Sequence, residues 1–501
     1  MITPSIISAG NRALAGLVAG AIGGLFFGLL ADSPYGLGLN LIISAGLGSV
    51  FGLVFGPTIR TAGAGLVWGQ AYGLFWWLVG SLTLIPILSG QGLPWRVAAI
   101  QDTLPLLLGL VVGYGAVLGF SYYGLVWASN RVRPVQGDVP AELDHRLPAG
   151  QAIVPPLIQA IIIGGLGGLI GAWIFAWGIE TAEFFPLVAG LMGSNSMVVG
   201  QILHYVIGLT IGVSFGILFY RDVQGAGSGL VWGVNYGLLW WVIGPMTLLP
   251  WFLGLGVDWS LAAAQANLSA LVAHMLYGGL VGLVYALANK LWQVLFIDSD
   301  PLNRSLEGTG ARGTRSLLSG LAGGIIGGLL FTIVMVGIGA LPQVAGLIGA
   351  RSAFAGFIVH LIIAIMIGGS YGLLFQREAY SLGSGLAWGL VYGLVWWLLG
   401  ALTLFPIILR QPVNWSLQNV VTLYPALVGH LLYGAGLGLF FQILARRYDD
   451  ELSGRPRRGT QGTRLAEQAH LRPKRRTAGT PAPALWAVTL VLGVMLPLLL
   501  F

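Results

Sequence analysis

Four histidines in apolar stretches are the residues of this sequence best suited to chemistry, namely His204, His274, His360 and His430. Each is followed four residues later by glycine or alanine. Residues spaced by four share one face of a helix, so we expect each histidine to point into a helix bundle. Ionisable side chains inside membrane helices are rare and commonly functional.

Three roles for these histidines remain open at the level of sequence. Paired imidazoles on neighbouring helices could ligate haem iron or a chlorin magnesium, since bundle cores often hold cofactors. The same side chains could carry protons or ions. Alternatively, neutral imidazoles could donate hydrogen bonds to carbonyls across a packed interface. The sequence does not name a cofactor.

Three amide side chains also lie in apolar stretches: Asn40, Gln70 and Asn235. Together with the histidines they could line a polar path for a small solute or ion. A continuous wet cavity along these residues would indicate a channel or transporter, whereas a dry bundle would favour a structural or accessory subunit.

Composition identifies the elements that must position these residues. The chain has 501 residues, of which 56% are hydrophobic and 8% charged. A soluble domain carries about a quarter charged residues, and a bilayer-spanning helix needs about 20 apolar residues in a row. Several apolar runs reach that length, so we predict an all-α integral membrane protein. The absence of cysteine excludes disulfides and thiolate sites.

Three segments of the chain are copies of one another. They begin at Gly65, Gly229 and Gly385 and read GLVWGQAYGLFWWLVGSLTLIP, GLVWGVNYGLLWWVIGPMTLLP and GLAWGLVYGLVWWLLGALTLFP. Each copy extends to four apolar spans, and an even number of spans makes all three copies parallel in the membrane, which favours a pseudo-threefold arrangement. With a C-terminal span the sequence predicts about 13 spans.

The predicted repeats and spans divide the chain into seven parts. Membrane repeats cover residues 1–128, 153–296 and 316–445, with cytoplasmic linkers at 129–152 and 297–315. A basic cytoplasmic segment, 446–483, precedes a C-terminal transmembrane helix at 484–501.

The basic residues orient the predicted spans. Of 24 Lys and Arg residues, only Arg96, Arg351 and Arg410 fall on one side of the membrane. The positive-inside rule then places the N-terminus in the cytoplasm. Because the net charge of +7 follows this topology, we expect no nucleic-acid partner. Residues 446–476 should instead attract anionic lipid or dock a partner subunit.

Glycine recurs at four-residue intervals in the third helix of each repeat. In lipid, a glycine face lets helix backbones approach closely. We therefore predict helix packing, rather than a glycine-lined pore, at Gly69, Gly73, Gly233, Gly237, Gly389 and Gly393.

The Gly-Leu-x-x-Gly-Leu texture, with its Trp-Gly-x-x-Tyr-Gly-x-x-Trp-Trp core, resembles glycine-rich multi-pass bacterial membrane proteins of unknown function. No catalytic constellation is visible in the sequence. We therefore expect a non-enzymatic scaffold or accessory subunit of a membrane complex in the bacterial inner (plasma) membrane. A channel or transporter is the first alternative, and a haem- or chlorin-binding subunit the second.

Overall fold

The structure, a computed structural model, describes residues 8–30, 36–132, 156–177, 181–296, 309–376 and 381–454. The described residues are 87% helical, with no strand among them. The longer helices, with two short ones between them, are α1 (Ala9–Leu30), α2 (Gly36–Phe55), α3 (Ala62–Trp76), α4 (Val117–Val132), α5 (Pro156–Trp177), α6 (Thr181–Ala189), α7 (Met197–Phe219), α8 (Ala226–Ile243), α9 (Leu268–Phe296), α10 (Thr309–Gly337), α11 (Leu341–Ala345), α12 (Ala353–Leu374), α13 (Leu382–Trp396) and α14 (Tyr424–Gly454).

Four of these helices are extended by π-helical turns, which contain wider loops of backbone than an α-helix. The turns Trp77–Leu84, Gly244–Leu248 and Trp397–Leu404 follow α3, α8 and α13, and a last short α-turn completes each one at Ile85–Leu88, Leu249–Phe252 or Phe405–Ile408. A fourth, Gly109–Ala116, joins Leu104–Leu108 to α4. Short helices at Val97–Asp102, Leu261–Ala266 and Leu417–Thr422 come before the last helix of each repeat.

Eleven helices among the described residues are long and apolar enough to cross a membrane. They are α1 to α5, α7, α9, α10 and α12 to α14, with their extensions. The chain is thus built as a multi-pass membrane protein. Two of the 13 predicted spans are not among these eleven. Ala226–Phe252 is helical but is not one of the membrane candidates, and the predicted helix at 484–501 lies outside the described residues.

Contacts divide the chain into two compact units. Among the described residues, the first comprises those up to Asp222 together with Asn235–Val281, and the second comprises Val223–Val234 and those from Gly282 onwards. The middle repeat of the sequence therefore contributes to both units. In the first unit α1 packs on α2 and α4, and α7 packs on α5 and α6. In the second, α10 packs on α12 and α14, and α13 packs on α14.

The first two helices of each repeat meet through glycine. A Cβ added at Gly16 would collide with the carbonyl oxygen of Gly48. The same collision would occur between Gly164 and Gly212 and between Gly320 and Gly368. Any side chain larger than hydrogen would separate these backbones, so the close approach requires glycine.

The third and fourth helices of each repeat also meet backbone to backbone. A Cβ at Gly69 would collide with Gly115, and one at Gly389 with Gly434. The carbonyls of Leu110, His274 and His430 block a Cβ at Gly73, Gly237 and Gly393, respectively, and Gly233 Cα lies 3.0 Å from a Cβ built on Gly282. All six glycines for which the sequence predicts helix packing therefore lie at helix–helix contacts.

The second and third repeats contain an insertion that the first repeat lacks. Gly16 and Gly164 occupy equivalent places but lie 148 residues apart, whereas Asn40 and His204 lie 164 apart. The additional residues in the second repeat form α6 and its following turn, and α11 is the counterpart in the third. Each added helix packs closely on the next one, because the carbonyl oxygens of Phe185 and Leu341 leave no room for a Cβ at Gly200 and Gly356.

Candidate functional site

His204 and His360 tie the second helix of their repeat to the first. His204 Nε2 lies 3.0 Å from the carbonyl oxygen of Ala172, and His360 Nε2 lies 3.1 Å from that of Gly328. A carbonyl can only accept, so Nε2 carries the hydrogen in both imidazoles. In the first repeat the equivalent Asn40 donates through Nδ2 to the carbonyl oxygen of Gly24, at 2.8 Å. Three different positions in the sequence make one and the same bond.

His274 and His430 bond within their own helix. Their Nδ1 atoms donate to the carbonyl oxygens of Ala270 and Ala426, four residues earlier, at 2.7 Å in both cases. The equivalent residue of the first repeat is Leu110, which like them packs its backbone against a glycine of the neighbouring helix. That repeat therefore forms the same helix contact without an imidazole.

A phenylalanine contacts both histidines of each pair. The ring of Phe175 lies 5.9 Å from that of His204 and 6.2 Å from that of His274. Phe331 lies 5.1 Å from His360 and 4.5 Å from His430. The imidazoles are thus part of an aromatic cluster, and each has one nitrogen already bound to a carbonyl.

The tyrosine that follows in the fourth helix makes a further bond between helices. Tyr277 donates to the carbonyl oxygen of Gly208 at 3.0 Å, and Tyr433 to that of Ala364 at 2.7 Å. Tyr114 makes the same bond to Ser44, at 3.0 Å. It lies four residues after Leu110, whereas the other tyrosines lie three after their histidine. The π-helical turn Gly109–Ala116 accommodates this additional residue.

The three amides predicted as a polar path differ in their surroundings. The Asn40 amide is occupied, because Nδ2 donates to Gly24 and Oδ1 accepts from Ser44. Gln70 is 0% exposed and Asn235 is 1% exposed. Neither the Oδ1 nor the Nδ2 atom of Asn235 has a hydrogen-bond partner. Gln70 is equivalent in sequence to Val234 rather than to Asn235, so the two amides occupy different faces of equivalent helices.

A small cavity of about 30 Å³ lies in the second unit, away from the histidines. It is lined by the start of α8, by α9 from Ala286 to Lys290 and by the end of α12 from Leu373 to Gln376. Such a volume holds one or two water molecules. None of the residues predicted to form the site lines it.

Asp222 is a buried acid that sequence reasoning missed. It lies just beyond the end of α7, next to Arg221. In the structure it is only 9% exposed, and its Oδ1 accepts a hydrogen bond of 2.7 Å from Thr61. No local pattern indicates this contact, because Thr61 lies 161 residues away in the sequence.

Within the described ranges, no three His, Asp or Glu side chains come together in a way that could hold a metal ion. No known protein family, curated protein or solved structure matches the chain. The arrangement can therefore be interpreted only through its own chemistry, in which the intramembrane polar groups bond mainly to the backbone of neighbouring helices.

Proposed function

We propose that this chain is a non-enzymatic scaffold or accessory subunit of a membrane complex, located in the bacterial plasma membrane. The observation that carries the proposal is the shared bond of Asn40, His204 and His360 to a carbonyl of the first helix of their repeat. Because asparagine forms the same bond, the position needs a hydrogen-bond donor rather than an imidazole. Its role is to hold two helices together.

Other buried polar groups are used in the same way. Tyr114, Tyr277 and Tyr433 bond carbonyls across helices, and the indoles of Trp241 and Trp397 donate to Asn267 and Leu423 at 2.9 and 3.0 Å. A hydrogen bond between membrane helices contributes about 0.6 kcal/mol on average. Together with the glycine contacts, these bonds support firmly packed helices suited to hold partners in place.

The wider architecture belongs to the same proposal. It has three parallel four-helix repeats and 13 spans, with the N-terminus in the cytoplasm. The basic segment 446–476, whose side chains lie outside the described residues, would bind anionic lipid. Membrane-complex subunits would dock on the helical body. The resemblance to glycine-rich multi-pass bacterial proteins agrees with this reading but assigns no residue a role.

Gentle purification from the native membrane tests the proposal. We expect a second membrane protein at fixed stoichiometry in native mass spectrometry, retained in a His204→Asn variant that keeps the bond to Ala172. A visible absorption band lost in that variant would replace the proposal with cofactor binding. A solitary, colourless protein that passes solutes across liposomes would replace it with transport.

Asn235 is the observation that favours the transport alternative. Buried polar groups are nearly always hydrogen-bonded, and removing an unbonded one is stabilising or neutral when its role is structural. If Asn235 lines a path, Asn235→Leu abolishes solute flux in liposomes. If the chain is a scaffold, the same variant raises the thermal unfolding midpoint and leaves partner binding intact. Asn40→Leu is the matched control, because it removes an amide that is already bonded.

A further inference from the structure

We propose that Asp222 is a proton-binding site whose contact with Thr61 fastens the end of α7 to the start of α3. Both residues lie just outside the membrane-spanning segments, which end at Phe219 and begin at Ala62. On the predicted topology this is the cytoplasmic side. The site goes beyond the scaffold role, because it makes a helix contact depend on a proton.

The contact joins a carboxylate to a helix cap. Thr61 is the N-cap residue of α3, and its Oγ1 accepts a hydrogen bond of 3.0 Å from the backbone N–H of Ala64. The same hydroxyl donates to Asp222 Oδ1 at 2.7 Å. Asp222 therefore lies beside the N-terminus of α3, where a negative charge is favoured.

The second carboxylate oxygen lies in a closed space. Asp222 Oδ2 is buried and has no hydrogen-bond partner. A Cβ added at Gly63 would come within 2.6 Å of Oδ2 and within 2.7 Å of the ring of Phe219. An ionised oxygen without a donor is costly in such surroundings, whereas the protonated acid carries no charge there.

The groups around the Asp222 carboxyl offset the cost of ionising it only in part. Burial raises the pKa of Asp222 to about 7, while the hydrogen bond from Thr61 and the charge of Arg221 act to lower it. The Arg221 guanidinium lies 5.2 Å from the centre of the Tyr220 ring. Tyr123, from α4, is a further titratable group that interacts with Asp222.

The equivalent junction in the second unit shows no acid among the described residues, and Glu378, the counterpart of Asp222 in the sequence, lies outside them. There Phe375 packs against Gly227 as Phe219 packs against Gly63. The backbone amides of Gln224 and Gly225 bond to Ser228 Oγ, both at 3.0 Å. In the third repeat Ser381 caps α13 through Ser384 N at 3.0 Å. Ser381 is thus a matched cap with no carboxylate partner among the described residues.

The sign of the pH dependence follows from the raised pKa. A carboxyl that titrates near 7 in the folded protein and near 3.8 otherwise binds its proton more tightly when folded. The stability gained from this proton is complete below the unfolded pKa and is lost as the pH rises through about 7. Over that range the unfolding equilibrium constant changes by up to about tenfold per pH unit.

Infrared titration of the full-length protein in lipid nanodiscs tests the site directly. We expect the protonated carboxyl signal to disappear between about pH 5.5 and about pH 8.5 in the wild type. The same signal should be absent at every pH in Asp222→Asn. A wild-type protein without such a signal, or a signal that persists in Asp222→Asn, would overturn the proposal.

Thermal unfolding at the same pH values tests the helix contact. Asp222→Asn should flatten the fall in midpoint between low and high pH. Thr61→Ala should change the pH dependence of the unfolding midpoint, whereas Ser381→Ala should lower the midpoint equally at every pH. If Thr61→Ala does not fold, Thr61→Ser, which keeps the hydroxyl, must retain the wild-type pH profile. An altered profile for Thr61→Ser, or identical profiles for the two alanine variants, would refute the coupling.

Discussion

At the scale of single residues, Asn40, His204 and His360 show how one structural task is met by two side chains. Both types bond to a backbone carbonyl of the first helix of their repeat. The larger imidazole occurs in the repeats that carry the added helices α6 and α11. In the second repeat, the rings of Phe184 and Phe185 from α6 lie 5.6 and 5.7 Å from that of His204. The added helix therefore supplies the packing that the ring requires.

Replacement of His360 separates hydrogen bonding from imidazole chemistry. We expect His360→Asn to retain most of the stability, because asparagine keeps a donor for the Gly328 carbonyl. His360→Leu should lose about 0.6–1.7 kcal/mol, the range for hydrogen bonds between membrane helices. Thermal unfolding in detergent measures the difference. Equal losses in the two variants would contradict the assignment of a hydrogen-bonding role.

The sequence could predict that these histidines face the bundle, because their spacing from small residues follows the helical period. It could not predict which nitrogen each would use, nor that Phe175 and Phe331 would contact both members of a pair. The burial of Asp222 was equally beyond reach, since it depends on Thr61 and Gly63 from another repeat.

At the scale of helices, two glycines of α2 allow the effect of helix packing to be measured apart from the helix propensity of glycine. One lies at a helix contact and the other does not. A Cβ at Gly48 would come within 2.5 Å of Gly20 Cα, whereas one at Gly46 would meet nothing within 4 Å. We expect Gly48→Ala to destabilise the protein. Gly46→Ala should be neutral or stabilising by up to about 1 kcal/mol, as for glycine in an open helix position. Unfolding midpoints that change alike would refute the packing role.

The π-helical turns that follow α3, α8 and α13 each contain a threonine with the same two hydrogen bonds. Thr247 Oγ1 donates to the carbonyl oxygen of Val242, five residues earlier, at 2.7 Å and accepts from the Trp259 indole at 3.0 Å. Thr83 and Thr403 make the same two bonds. Each threonine therefore connects a widened turn to the tryptophan of the following loop.

Substitution of Thr247 tests this connection. We expect Thr247→Val to lose both bonds and about 1–3 kcal/mol, because the indole N–H of Trp259 is left without its partner. Thr247→Ser keeps the hydroxyl and should stay close to wild type. Thermal unfolding in detergent measures the stability of both variants. A serine variant as unstable as the valine variant would show that the hydroxyl is not responsible.

Long apolar runs predict membrane helices from sequence alone, because apolar length is a local signal, and eleven such helices occur among the described residues. The π-helical turns were not predictable in the same way. They arise from one additional residue, as at Gly109–Ala116, or from the threonine bonds, and neither disturbs the apolar pattern.

At the scale of the whole molecule, the orientation of the spans can be read out by chemical labelling. The chain has no cysteine, so single cysteines can be introduced without background. On the predicted topology, Gln91→Cys and Leu255→Cys lie outside and Ser129→Cys lies inside. We expect an impermeant maleimide to label the first two from the outer face of intact cells and the third only after permeabilisation. Protection of Leu255→Cys alone would show that Ala226–Phe252 does not cross.

The burial of α8 has a consequence for biogenesis. Val231, Trp232, Val234, Trp241 and Val242 are all at most 2% exposed, so this helix meets protein on every side and can carry Asn235 at its centre. A translocon releases a segment into lipid according to its own apolarity. A helix selected for protein surroundings is a poor substrate for that step. We therefore expect α8 to enter the bilayer together with α9, as a helical hairpin.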